Sequence, residues 1–178
     1  MTRYHTAFAF AAAASLAGCA SLYDAAPRTV ASSTIANAAG MPIGTAQFVD
    51  TAGRLHVNVS VTGLPAGTHA VHLHQVGRCQ APDFTSAGGH LNPAGNTHGT
   101  LSPTGPHLGD LPNIEIGASR TGSVTAELGA ASTQALAHLF DDDGTAIVVH
   151  AQADDYRTDP TGNAGGRIAC GVVGRVSG

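Results

Sequence analysis

Between positions 55 and 62 the chain alternates without a break, with Leu55, Val57, Val59 and Val61 on one side and His56, Asn58, Ser60 and Thr62 on the other. A period of two is what a β-strand with one buried and one wetted face requires, and a helix cannot reproduce it. Further segments rich in Val, Ile, Ala and Thr are set off by turn residues at 30–37, 44–50, 68–74, 123–128, 135–140, 145–150 and 168–173. With 23 glycines and 9 prolines to turn the chain between them, an all-β, eight-stranded antiparallel sandwich is expected. At 178 residues and 43% hydrophobic, the chain buries one sizeable core and so forms one domain. Asp141-Asp142-Asp143-Gly144 falls between two segments and reads as a hairpin turn. As a calcium loop it fails, because its ligand spacing does not continue into an EF-hand.

Only 11% of the residues are charged, every basic one is an arginine, and the formal net charge is −4 with histidines neutral. No basic surface is left for nucleic acid, so that class of partner is excluded. At the amino terminus Arg3 precedes an apolar, alanine-rich run at 7–17 that is too short to span a bilayer, the pattern of a signal peptide over 1–18. Leu16-Ala17-Gly18-Cys19 resembles a bacterial lipobox, in which Cys19 is acylated and becomes the first mature residue; an ordinary secretory signal with a chance cysteine is the alternative. Residues 19–29 then read as lipidated terminus and tether, and 30–178 as the folded domain. Ala20 supplies no inner-membrane retention cue, so the expected location is the periplasm or cell envelope, held to the outer membrane through the lipid anchor only. Removing Cys19 from three cysteines leaves Cys79 and Cys170, which are expected to pair in a compartment that permits oxidation; two unpaired buried thiols are the alternative.

Two long stretches, 75–112 and 151–166, carry no strand pattern, and such loops need metals, disulfides or function to order them. The chain has ten histidines, and seven of them, His69, His72, His74, His90, His98, His107 and His150, lie in or beside these stretches. His72 and His74 lie two apart on the segment 68–74, so both project from one face while His69, Val71 and Leu73 project from the other. His90, His98, His107 and Asp110 follow beside Gly, Pro or Asn, which lets a long excursion converge on one point. Three imidazoles and a carboxylate suit a closed, structural zinc site. His150 ends the apolar run Ile147-Val148-Val149, where a lone histidine is ordinarily structural.

His72-Leu73-His74, Gly89-His90-Leu91-Asn92-Pro93, His107-Leu108-Gly109-Asp110-Leu111, Val148-Val149-His150 and the run Gly162-Asn163-Ala164-Gly165-Gly166-Arg167-Ile168-Ala169-Cys170-Gly171 resemble, in order, the motifs of bacterial copper,zinc superoxide dismutases. The similarity runs from about Gly44 to Val173. It implies a flattened Greek-key barrel with two functional loops, and an enzyme that disproportionates superoxide to dioxygen and hydrogen peroxide, protecting the envelope. It further implies copper on His72, His74, His90 and His150, and zinc on His90, His98, His107 and Asp110, with His90 bridging the two and carrying a proton between half-reactions. Asp154 matches the carboxylate that links a copper histidine, His72, to a zinc histidine, His98, while Asp155 reads as a solvated loop residue. Arg167, placed by a Cys79–Cys170 bridge, is the residue expected to attract and orient the anion.

Family members usually carry Gly and Phe where this chain has Ala70 and Val71. Val71 is expected to face the core and leave a void unless its neighbours fill it, and Ala70 is admissible only with ordinary strand angles. With no lysine, steering of the substrate falls to arginines, Arg78 and Arg157 being candidates besides Arg167. His69 resembles a structural histidine of the family, bonded to backbone; His56 and His138 read as structural or exposed, and His5 leaves with the signal. The resemblance admits monomers and homodimers. A non-enzymatic copper and zinc binder on the same sandwich is the competing function, against which Arg167 and the complete bridging set argue.

Overall fold

Sheet pairing puts the alternating segment where its period requires. The computed structural model describes residues 26–176, in which β1 (Arg28–Asn37), β2 (Pro42–Thr51) and β3 (Arg54–Thr62) form an antiparallel meander. Leu55, Val57, Val59 and Val61 are buried, and Phe48 and Ala46 of β2 pair with Val57 and Val59 and are buried too, so neighbouring strands load the same interior face. The expected leader, the lipidated Cys19 and most of the tether lie outside the described residues; Arg28 and Thr29, assigned to the tether from sequence, belong to β1.

Beyond the meander come β4 (Gly67–His69), β5 (Val71–His74), β6 (Ile114–Ile116), β7 (Thr121–Ala131), β8 (Ala146–His150), β9 (Arg167–Val172) and β10 (Gly174–Arg175). The main sheet has eight strands, in the order β5-β8-β9-β1-β2-β3-β7 with β10 paired to β1, and β4-β6 make a second small sheet. All pairings are antiparallel. The sheet curls until its two edge strands are joined through the small sheet, because β4 runs on into β5 and β6 lies against β7. At that seam a Cβ on Gly122 would run into the backbone carbonyl of Glu115, so β7 needs glycine there.

Three expectations change. The segment 68–74 is two strands, because His69 pairs with Ile114 in the small sheet and Val71 with Val149 in the main one. Ala70 is the corner between them: it is fully buried, its N–H donates to the Gln152 carbonyl and its carbonyl accepts from His150 N, and it is not among the residues of positive φ. Its departure from glycine therefore costs no backbone strain. Val71 is likewise fully buried in the main core.

The segment 135–140 is not a strand. Residues Ser132–Leu139 form helix α1, whose buried positions Ser132, Ala135 and Leu139 recur at helical spacing. Ala, Leu and Gln favour that state, and a core that needs only one face from the segment lets propensity win. Asp141 to Gly144 accordingly joins a helix to β8 rather than two strands; Gly144 N donates to Asp141 Oδ1 at 2.9 Å and sits at φ 68°. β6 and β10, of three and two residues, had no sequence signal long enough to read.

Candidate metal centre

Two groups of side chains that could hold a metal ion meet beside β5: His72, His74, His90 and His150, and His90, His98, His107 and Asp110. β5 supplies the first two and the end of β8 supplies His150. The loop residues arrive by backbone stitching. Leu91 N donates to Leu73 O at 2.8 Å, Leu73 N to Gly109 O at 2.9 Å and Gly109 N to Leu91 O at 2.9 Å, so two turns of the excursion are bonded to the strand and to each other. The approach is close enough that a Cβ on Gly109 would strike the Leu73 carbonyl. His90 and Asp110 thereby become strand-like partners of His74 and His72.

Hydrogen bonds then select which nitrogen of each ring stays free. His74 Nδ1 donates to Gly88 O at 2.9 Å and His150 Nδ1 to Gly165 O at 3.3 Å, which leaves both Nε2 atoms as lone pairs, 3.4 Å apart. His72 Nε2 and His98 Nε2 donate to the two oxygens of Asp154, at 2.8 and 2.9 Å, which leaves their Nδ1 atoms free. His72 Nδ1, His98 Nδ1 and His90 Nε2 are buried with no hydrogen-bond partner. Buried lone pairs without a donor are costly unless a cation meets them.

In the second group one oxygen, Asp110 Oδ1, lies 2.9 Å from His90 Nδ1, 3.1 Å from His98 Nδ1 and 3.2 Å from His107 Nδ1, and the His90 and His107 nitrogens are 3.4 Å apart. Hydrogen bonds alone do not account for four such atoms facing one another. The edges of a tetrahedral zinc shell with bonds of 2.0 to 2.1 Å are about 3.3 Å, so the set fits a four-coordinate cation.

Burial keeps His74, His90 and His150 neutral and able to ligate. It is the main cause lowering His90 from 6.5 to about 4, His150 to about 3 and His74 to about 2, with neighbouring imidazoles and, for His74 and His150, Arg167 acting the same way. Burial alone would raise the Asp110 and Asp154 carboxyls; hydrogen bonds from His90 and the Gly99 and His107 amides to Asp110, and from His72, His98 and the Tyr156 amide to Asp154, hold both below the usual carboxylate range. The sign for stability follows. Between about 6.5 and about 4 the unfolded histidines bind protons that the folded ones refuse, so the metal-free chain is expected to lose stability as pH falls through that window. Urea midpoints of the metal-free chain at about pH 7.5 and about pH 5 check this, and equal midpoints would contradict neutral buried rings.

Asp154 is held in turn. Its N–H donates to Asn113 Oδ1 at 2.8 Å, Asn113 Nδ2 returns to Asp154 O at 3.0 Å, and Tyr156 OH accepts from Asn113 N at 2.8 Å. Gly162, at φ 64°, packs so near that any Cβ would meet the Asp154 carboxylate and the His98 ring. His98 N donates to Asp159 Oδ1 at 2.6 Å. Asp155 is exposed and accepts from Thr158 and Asn163, which ties its own loop and touches neither group.

Arg167 lies at the start of β9, half-buried, three residues before Cys170, which is bonded to Cys79 with Cα atoms 5.6 Å apart. Its Nη1 and Nη2 donate to Phe84 O and Gly88 O, at 2.7 and 2.6 Å. Arg157 and Arg78 are both exposed. His69 lies outside both groups, with Nδ1 2.8 Å from the His150 carbonyl and Nε2 3.1 Å from the Pro65 carbonyl, both acceptors, and His56 and His138 are half-buried and belong to neither. Sequence reading did not find Gly88, Gly165, Phe84, Asn113 or Asp159. The first three act through backbone carbonyls, which no residue type advertises, and the other two act on a partner rather than on a metal.

The family model for copper/zinc superoxide dismutase (SODC) matches residues 43–173, which include every member of both groups. The chain belongs to the copper/zinc superoxide dismutases. This superoxide dismutase is 43% identical over 147 residues to superoxide dismutase [Cu-Zn] 1 of Aquifex aeolicus, covering 78% of this chain and 84% of that relative. It is 45% identical over 126 residues to a superoxide dismutase [Cu-Zn] of Caulobacter vibrioides, covering 66% of this chain and 70% of the other. The crystal structure of a SOD-like protein from Bacillus subtilis superposes with a TM-score of 0.73 at 36% identity, covering 79% of this chain and 96% of that one. Superoxide is thus the substrate of this superoxide dismutase, and copper and zinc are its cofactors.

Proposed function

We propose that His72, His74, His90 and His150 hold the copper, that His90, His98, His107 and Asp110 hold the zinc, and that the enzyme works in the cell envelope. The observation that supports this reading above all others is the His90 ring. Its Nδ1 lies among the atoms of the second group, and its Nε2 is one of the orphaned nitrogens of the first. With a cation at each group the ring would have given up both protons, and the two adjacent positive charges would stabilise the resulting anion.

Bound copper supplies a one-electron couple, by which one superoxide leaves as dioxygen and a second leaves, with two protons, as hydrogen peroxide. The chain does the rest. Asp154 fixes the tautomers of His72 and His98, so that both offer Nδ1. His90 Nε2 is the atom able to take up a proton and return it to the product. The zinc ligands hold the loop that presents His90. Arg167 offers a permanent positive charge beside His74 and His150, the groups on which its field already acts. Its fork is pinned at one edge, which leaves the guanidinium stationary for an incoming anion.

Arg167→Ala is therefore expected to lower kcat/KM by about tenfold or more, whereas Arg157→Ala, at an exposed loop position, changes it by less than about twofold at physiological salt. Pulse-generated superoxide decay measures both, and equal losses would remove Arg167 from the anion site. Metal analysis of the loaded chain tests the ligand assignment: one copper and one zinc per chain support it, while zinc alone in both positions would favour a non-enzymatic binder.

The envelope assignment rests on the lipobox-like Leu16-Ala17-Gly18-Cys19 and on the Cys79–Cys170 disulfide, a bond that persists outside the reducing cytosol. Labelling with a radioactive fatty acid and fractionating the membranes tests it. Label absent from both the parent chain and Cys19→Ala would exclude the anchor.

A further inference from the structure

Arg167 rests on two carbonyls, and they differ in what holds them. Gly88 O accepts from Arg167 Nη2 at 2.6 Å and from His74 Nδ1 at 2.9 Å, so it is part of the metal centre itself. Phe84 O, which accepts from Arg167 Nη1 at 2.7 Å, belongs to a residue that is in neither metal group. Phe84 has φ 54° and ψ 22°, the left-handed region that bulky residues avoid. Such a conformation persists only where the surroundings hold it.

Those surroundings are a small second core. Phe84 is 2% exposed and packs with Ala87, Ala146, Val148 and Cys170, with Cys79 against them. Its N–H donates to Gln80 O at 3.0 Å, and its carbonyl accepts from Ala87 N at 3.1 Å as well as from Arg167. Ring, backbone donor and backbone acceptor are all committed.

We infer that Phe84 is a positioning residue for the anion site: burial of its ring beside the Cys79–Cys170 bridge holds its backbone left-handed, and that conformation aims its carbonyl at Arg167. The inference rests on the reading of Arg167 as the anion-orienting group. Held by Gly88 O alone, the guanidinium would turn about its remaining freedom, and each anion bound would have to immobilise it again.

Azide affinity of the copper-loaded protein, followed through the copper ligand-field absorption at equal copper content, tests this without measuring turnover. Phe84→Ala is expected to raise the azide Kd about tenfold, the loss of a hydrogen bond to a charged group, and Phe84→Leu, which keeps an apolar side chain in the small core, about threefold. In an Arg167→Ala background the Phe84 substitutions should add nothing, because their effect passes through the missing side chain. Wild-type affinity in both Phe84 variants, or in Phe84→Leu alone should the alanine variant not fold, overturns the inference while leaving Arg167 in place. An undiminished Phe84 effect in the Arg167→Ala background overturns it as well. If Arg167→Ala itself leaves the azide Kd unchanged, both the inference and the Arg167 reading fall.

Discussion

His90→Ala is expected to reduce superoxide removal to background, a loss of at least about a hundredfold, and to alter the copper environment and the zinc content together. Residues that merely orient ligands commonly cost 10- to 100-fold when removed, and this change deletes a ligand from both groups at once. Three nitrogens would remain in the first group, and in the second His98, His107 and Asp110 would face a buried gap. His69, the nearest other histidine in sequence, has its ring nitrogens on the carbonyls of His150 and Pro65 and belongs to neither group. Metal analysis, the electronic spectrum of the copper-loaded variant and superoxide decay check this on one sample, with thermal unfolding to show that the barrel still forms. An unchanged copper spectrum would mean that the ring is not shared, and the assignment of both metal sites would go with it.

Replacing Cys79 and Cys170 together with alanine is expected to cost about 4 to 5 kcal/mol, since the bond closes a loop with a separation of 91 residues. For a domain of this size that corresponds to a fall in Tm on the order of 10 °C. Activity should fall too. The bond ties the loop carrying Phe84 and Gly88 to β9, three residues from Arg167, so both carbonyls that hold the guanidinium loosen when it is lost. Changing both cysteines leaves no odd thiol to confuse the result. A Tm within about two degrees of the parent would show that the loop is held by its metal ligands and backbone stitching instead.

These predictions draw on features of different legibility. Strands β1, β2, β3, β8 and β9 could be read because a half-buried or fully buried strand writes its environment into residues two apart or into an apolar run. Residues 135–140 misled because Ala135, Leu136, Leu139 and Phe140 suit a short strand as well as one face of a helix, and six residues are too few for the period to decide. The break at Ala70 was equally hidden: both halves look like strand, and only the change of partner from β6 to β8 divides them. At the metal centre the ligand-type residues stood out by their chemistry and order, whereas the carbonyls of Gly88, Gly165 and Phe84 did not.

The chain's own order of residues was enough to point to a β domain, a pair of cysteines, His72 and His74 on one strand face, and a zinc-like set in His90, His98, His107 and Asp110; His150 as a ligand, the sharing of His90 and the linking role of Asp154 came only with the family resemblance. The first of these depend on residue type and local pattern. Which nitrogen of each ring stays free, how one Asp110 oxygen meets three imidazoles, and where Arg167 comes to rest against a carbonyl 83 residues away depend on how distant segments pack. A contact of that kind needs the backbone direction and the burial of both partners at once, and neither partner's own stretch of sequence contains the other's.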